Sequence, residues 1–96
     1  MTEALAKGPE RAAEIRKRLT VAFEPVALDV VDDSAKHAGH AGARDGRGHF
    51  SVSITSAAFA GKSPIERHRM VYAALGEMMQ NDIHALSIAA RAAPDA

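Results

Sequence analysis

The chain has no cysteine. That absence excludes a disulfide framework, thiolate nucleophiles and any metal or iron–sulfur site held by the protein's own sulfur. Aromatic residues are scarce, three Phe and one Tyr, and Phe23, Phe50 and Phe59 are needed for a core, so little is left for stacking nucleic-acid bases. Net charge is also missing: twelve Lys and Arg balance twelve Asp and Glu. Bulk attraction to nucleic acid is therefore not implied, and any basic surface must be local. No apolar run approaches the ~18 residues of a membrane span, and the start, Met1-Thr2-Glu3-Ala4, resembles neither a secretory leader nor a myristoylation site, which needs glycine where Thr2 stands. The expectation is a soluble, cytoplasmic chain with no membrane contact. At 96 residues it makes one domain that buries about three-fifths of its unfolded surface, too little for a deep multi-layer enzyme core.

What is present reads as alternating helical and extended segments. Residues 1–8 form a loose Ala-rich arm, residues 9–91 the domain and residues 92–96 a tail. After Pro9, the residues Ala12, Ile15, Leu19, Ala22 and Phe23 recur at three and four, the stripe of an amphipathic helix. Arg16, Lys17 and Arg18 fall on its solvent side, and Glu24-Pro25 stops it. Val26–Asp33 alternates Val26, Leu28 and Val30 with smaller or polar residues, a strand with one buried face. Residues 34–48 are Gly-rich and aperiodic, a long loop carrying His37 and His40, and loops of this length are more often functional than not. His49–Thr55 alternates Phe50, Val52 and Ile54 with Ser51, Ser53 and Thr55, a second strand expected to pair antiparallel with the first. Ser63-Pro64-Ile65-Glu66 is a capping box, and Val71, Ala74, Leu75, Met78 and Met79 continue the helix it starts over ~17 residues to Asn81-Asp82. Ile83–Ala90 gives a third strand with Leu86 and Ile88 on one face. The class is α+β in the order αββαβ: a three-stranded sheet with its helices packed on one face.

Three features could carry chemistry. His37-x-x-His40 lies in the loop, where imidazoles are usually just solvated, and the spacing by itself falls short of a zinc signature. His84 heads the third strand an even step from Leu86 and Ile88, so parity puts it on the core face unless pairing begins after it. Lys62, Arg67, His68 and Arg69 surround the positive end of the second helix, a place that attracts phosphate, although Glu66 is interleaved among them. No nucleophile stands in a His/Asp frame, no carboxylate pair faces a pocket and no phosphate loop precedes a helix, so no catalytic residues are assigned and enzyme activity is not expected.

The run from His49 to Leu75 containing Phe59-Ala-Gly61 and Arg67-His-Arg-Met-Val-Tyr72, followed by Ile83-His-Ala-Leu-Ser-Ile88, resembles the BolA family. Val31-Asp-Asp-Ser34 ahead of a His-bearing loop is similar to its first strand and loop, so the likeness spans roughly residues 10–90. It implies a fold similar to a class II KH domain. It also implies a partner of monothiol glutaredoxins that shares a [2Fe–2S] cluster, for which the glutaredoxin supplies a Cys and glutathione a second thiolate, with no cofactor in the isolated, monomeric chain. By motif position the ligands are His84 and, from the loop, His37 or His40. Imidazoles in place of thiolates leave less negative charge on the cluster, raising its potential, and they protonate near pH ~6–7, so mild acid should release it. The family has also been proposed to bind DNA as transcriptional regulators. Here that would fall to Lys62, Arg67, His68 and Arg69, with Arg91 nearby, and neutral overall charge implies weak binding.

Overall fold

The computed structural model describes residues 8–33 and 48–93. His37 and His40, the arm over residues 1–7 and the end of the tail lie outside the described residues. Helix α1 (Gly8–Phe23) is followed by strands β1 (Ala27–Asp32) and β2 (Gly48–Ser56), a 3₁₀ turn (Ala57–Phe59), helices α2 (Pro64–Leu75) and α3 (Met78–Asn81), and strand β3 (Ile83–Ala92). The sheet order is β1-β2-β3, with β1 antiparallel and β3 parallel to the central strand.

One face of this sheet carries the core. The period-2 pattern of β2 turns Phe50, Val52 and Ile54 inward, where they meet Val30, Ile83 and the helical residues Ile15, Leu19, Val71, Leu75 and Met78, all nearly devoid of solvent contact. Phe59 packs under the 3₁₀ turn with its ring 4.9 Å from that of Phe23. Buried Ser56 donates to the Phe23 carbonyl (2.6 Å), which fixes the end of α1 against the end of β2. The opposite face presents mostly small residues: Ala27 and Asp29 of β1, Ser51 and Ser53 of β2, and Ala85, Ser87 and Ala89 of β3.

Three local expectations need correction. Val26 precedes β1 and is 73% exposed, because α1 ends at Phe23 and the chain turns through Glu24, at φ 45°, and Pro25, although the Val26 N–H already donates to the Thr55 carbonyl (2.9 Å). Arg18 is half-buried instead of solvent-facing. It bonds Glu14 (2.8 Å) and, through Nη1, the Leu75 carbonyl at the end of α2 (2.6 Å), satisfying an orphan acceptor with a cation where the helix dipole favours one. The third concerns the long second helix, which is two. Gly76, at φ 57°, breaks it and donates to the Tyr72 carbonyl (2.9 Å), and the short α3 then re-aims Met78 into the core. A conformation with positive φ suits glycine, so the break falls there.

Candidate metal centre

The ladder between β2 and β3 begins with Gly48 opposite Ile83 and then slips, since the next pair is His49 opposite Ala85. His84 is the extra residue in this slip, a β-bulge. The bulge resets parity. Ile83 is buried and Leu86, three residues on, also faces the core, which strict alternation forbids and one inserted residue permits. His84 is consequently exposed, although its even spacing from Leu86 and Ile88 places it on the core side of a regular strand.

The bulge is anchored from below by Asp82. Its carboxylate accepts from the Arg11 Nε of α1 (3.3 Å), and only 9% and 7% of the two side chains remain exposed. Its carbonyl accepts from the Gly48 N–H (2.9 Å) and its own N–H donates to Met78 (2.9 Å). One residue thus joins α1, α3, the start of β2 and the strand that carries His84.

Beside His84 lies His49, 8% exposed, with ring centroids 5.2 Å apart and planes tilted by 44°. The carbonyl of His49 accepts from the Asp33 N–H (2.7 Å), and the Ser51 hydroxyl donates to the Asp33 carboxylate. An adjoining cleft of about 280 Å³ is lined by Asp33, His49, Phe50, Ser51, Ala85, Leu86 and Ser87. The chain therefore leaves β1 at Asp33 and re-enters β2 at Gly48 on the same end of the sheet as His84. An extended chain covers about 3.3–3.6 Å per residue, so four residues from Asp33 to His37 reach up to ~14 Å and seven to His40 up to ~25 Å. The sequence alone does not mark His49 as a site residue. Its odd step from Phe50 and Val52, which puts it on the open face, is the signal the sequence carries.

As a donor set this is half a site. Among the described residues no three of His, Cys, Asp and Glu converge to enclose a metal ion.

The basic cluster lies elsewhere. Arg67 reaches Ala90 of β3, six residues past His84 and about 20 Å along a strand. The guanidinium of Arg67 is taken up by backbone, Nε to the Lys62 carbonyl (3.0 Å) and Nη1 to the Ala90 carbonyl (3.1 Å), so it clasps α2 to β3. Lys62, Arg69 and Arg91 are exposed and His68 is half-buried. The start of α2 already holds an anion of its own. Ser63 Oγ accepts from the Glu66 N–H (3.2 Å), and the Ser63 N–H donates to the Glu66 carboxylate (3.0 Å), which holds that carboxyl below the usual range. A phosphate arriving here would meet the Glu66 carboxylate.

The αββαβ order and the mixed sheet are shared with solved BolA domains. The solved BolA domain of SufE1 from Arabidopsis thaliana superimposes with a TM-score of 0.77 at 44% identity, covering 85% of this chain and 91% of that one. Residues 19–95 match the BolA-like protein family, and the chain belongs to that family. Among curated relatives, SufE-like protein 1, chloroplastic/mitochondrial, of Arabidopsis thaliana is 44% identical over 86 residues, 84% of this chain and 23% of the relative. The DNA-binding transcriptional regulator BolA of Escherichia coli is 40% identical over 74 residues, 77% of this chain and 68% of the relative. The chain spans between 23% and 60% of the length of several relatives it matches. No helix among the described residues is long and apolar enough to cross a membrane.

Proposed function

We propose that this chain is a non-enzymatic partner of a monothiol glutaredoxin, in which His84 and one loop histidine, His37 or His40, co-ligate a [2Fe–2S] cluster for iron–sulfur trafficking or iron and redox regulation. The observation that carries the reading is the exposure of His84 at a β-bulge, at the end of the sheet where the loop leaves and returns. A strand histidine serving only the core would follow the alternation of Leu86 and Ile88 inward.

The role of the chain's own residues is to present neutral nitrogen donors. The Arg11–Asp82–Gly48 connections hold the backbone of the bulge, and the second imidazole would come from His37 or His40, four or seven residues past Asp33. Glutaredoxin cysteine and glutathione would complete the coordination. Bound in this way, the cluster supplies an electron-accepting centre whose potential lies above that of an all-thiolate one. The isolated chain is proposed to be a cofactor-free monomer in the cytoplasm.

The test is reconstitution with a monothiol glutaredoxin, glutathione, iron and sulfide, followed by visible circular dichroism. A heterocomplex spectrum distinct from that of the glutaredoxin alone, lost with His84→Ala, is expected. An unchanged spectrum with His84→Ala refutes the assignment, and His37→Ala against His40→Ala identifies the loop ligand.

The relative named as a DNA-binding transcriptional regulator supports a second reading, with Lys62, Arg67, His68 and Arg69 as contacts. Salt-dependent retention on duplex DNA, weakened by Lys62→Ala and Arg69→Ala, would favour it; no retention near physiological salt removes it. Arg67→Ala is the poorer probe, because it also unclasps α2 from β3.

A further inference from the structure

We infer that His49 is a positioning residue for His84: its buried ring is the wall that restricts the exposed imidazole to one orientation before any metal arrives. The inference rests on the role proposed above for His84. An exposed histidine ordinarily samples several staggered χ1 wells with a broad χ2, and His84 sits in a bulge, out of register with the strand beside it. On the open face beside it Ala85 stands opposite His49, and Ser51 and Ser87 are also small. In that neighbourhood the His49 ring is the one that lies against the ring of His84.

The contact is asymmetric, and the asymmetry gives its direction. His49 is 8% exposed and its backbone is held by the Asp33 N–H, whereas His84 faces solvent. The clamped ring orients the open one. The centroid distance of 5.2 Å and the 44° tilt lie within the range of favourable offset ring contacts. A ligand already in its binding orientation loses less rotamer freedom on coordination, so the effect appears as tighter retention of whatever His84 holds.

The experiment compares His49→Ala and His49→Phe. In the isolated chain, three-bond couplings report the χ1 distribution of His84. In the glutaredoxin complex, the rate of cluster loss to a chelator reports retention. With His49→Ala the couplings should become rotamer-averaged and cluster loss should quicken by roughly 2- to 10-fold, the scale of one ring contact. His49→Phe, which keeps a planar ring of similar size, should restore both. Should the alanine variant fail to fold, His49→Leu fills the space without a ring plane and should also average the couplings. Couplings that stay at a single χ1 value in the alanine or the leucine variant overturn the positioning role. Averaged couplings in His49→Ala alongside an unchanged spectrum in His84→Ala would uphold positioning and overturn cluster ligation. Faster cluster loss with an unaltered χ1 distribution would do the reverse.

Discussion

Replacing Arg11 by alanine should be among the most damaging changes available outside the apolar core. Arg11 is 7% exposed and Asp82 5%, so the substitution leaves a carboxylate enclosed without the cation that faces it. Removing one member of a buried ion pair costs about 3–5 kcal/mol. The Arg11 Nε to Asp82 Oδ1 approach is long at 3.3 Å, which argues for the lower end, about 3 kcal/mol. For 96 residues the unfolding entropy near the midpoint is about 0.2 kcal/mol/K, so Tm should fall by about 15 °C. The backbone bonds of Asp82 to Gly48 and Met78 survive the substitution, so cooperative unfolding should persist. Urea titration and thermal melting of the isolated chain measure the effect. A companion variant, Arg11→Met with Asp82→Leu, exchanges the pair for apolar groups and should return to within about 1 kcal/mol of the parent. A loss below about 1 kcal/mol for Arg11→Ala alone would refute the view that this pair is buried and coupled to the fold.

Gly76→Ala should destabilise by about 1–2 kcal/mol, read by urea titration. A built Cβ would meet nothing nearer than Arg18 Nη1 at 3.7 Å, so the penalty comes from φ 57°, not from a clash. An unchanged midpoint would show that the break between α2 and α3 does not need glycine. In acid, Glu66 and Glu14 should both contribute to the loss of stability. The Ser63 N–H lowers the first and the Arg18 hydrogen bond lowers the second. A lowered folded value means that the unfolded chain binds the proton more readily. The stabilisation is therefore full above the ordinary carboxylate range and is lost as pH falls below about 5 through the folded values. Glu14→Gln with Glu66→Gln should flatten the acid limb of a stability–pH curve, and an unaltered limb would assign it to other carboxylates.

Much of the architecture is legible in the residues because each element carries its own period. The β2 alternation of Phe50, Val52 and Ile54 and the α1 spacing of Ile15 and Leu19 name their buried faces directly, and Ser63 with Glu66 marks the start of α2 to the residue. What escapes is set by tertiary context. The apolar stripe runs from Val71 through Met79 across Gly76, so periodicity describes one helix where backbone torsion makes two. At His84 the difficulty is deeper. Parity is a property of regular pairing, and the residue that breaks the pairing is the one whose facing is in question. His49 is hidden for a related reason, since a single strand does not disclose that a bulge on its neighbour will bring a second ring alongside. The Arg11–Asp82 pair links positions 71 apart, a separation over which neither local spacing nor propensity carries information.

Both outer strands of the sheet surrender a carbonyl to a helix: Arg16 of α1 donates to Val30 of β1 (3.1 Å) and Arg67 of α2 to Ala90 of β3 (3.1 Å). In the antiparallel register Val30 belongs to a pair that exchanges no ladder bonds, because Asp33, three residues on, donates to His49. Its carbonyl therefore points outward, where a foreign strand would dock. An intruding chain must displace a guanidinium before it can continue the β1 ladder there, and a second guard occupies the far margin. For a neutral three-stranded sheet, which lacks net repulsion to keep copies apart, these two cations oppose edge-to-edge polymerisation in place of charge.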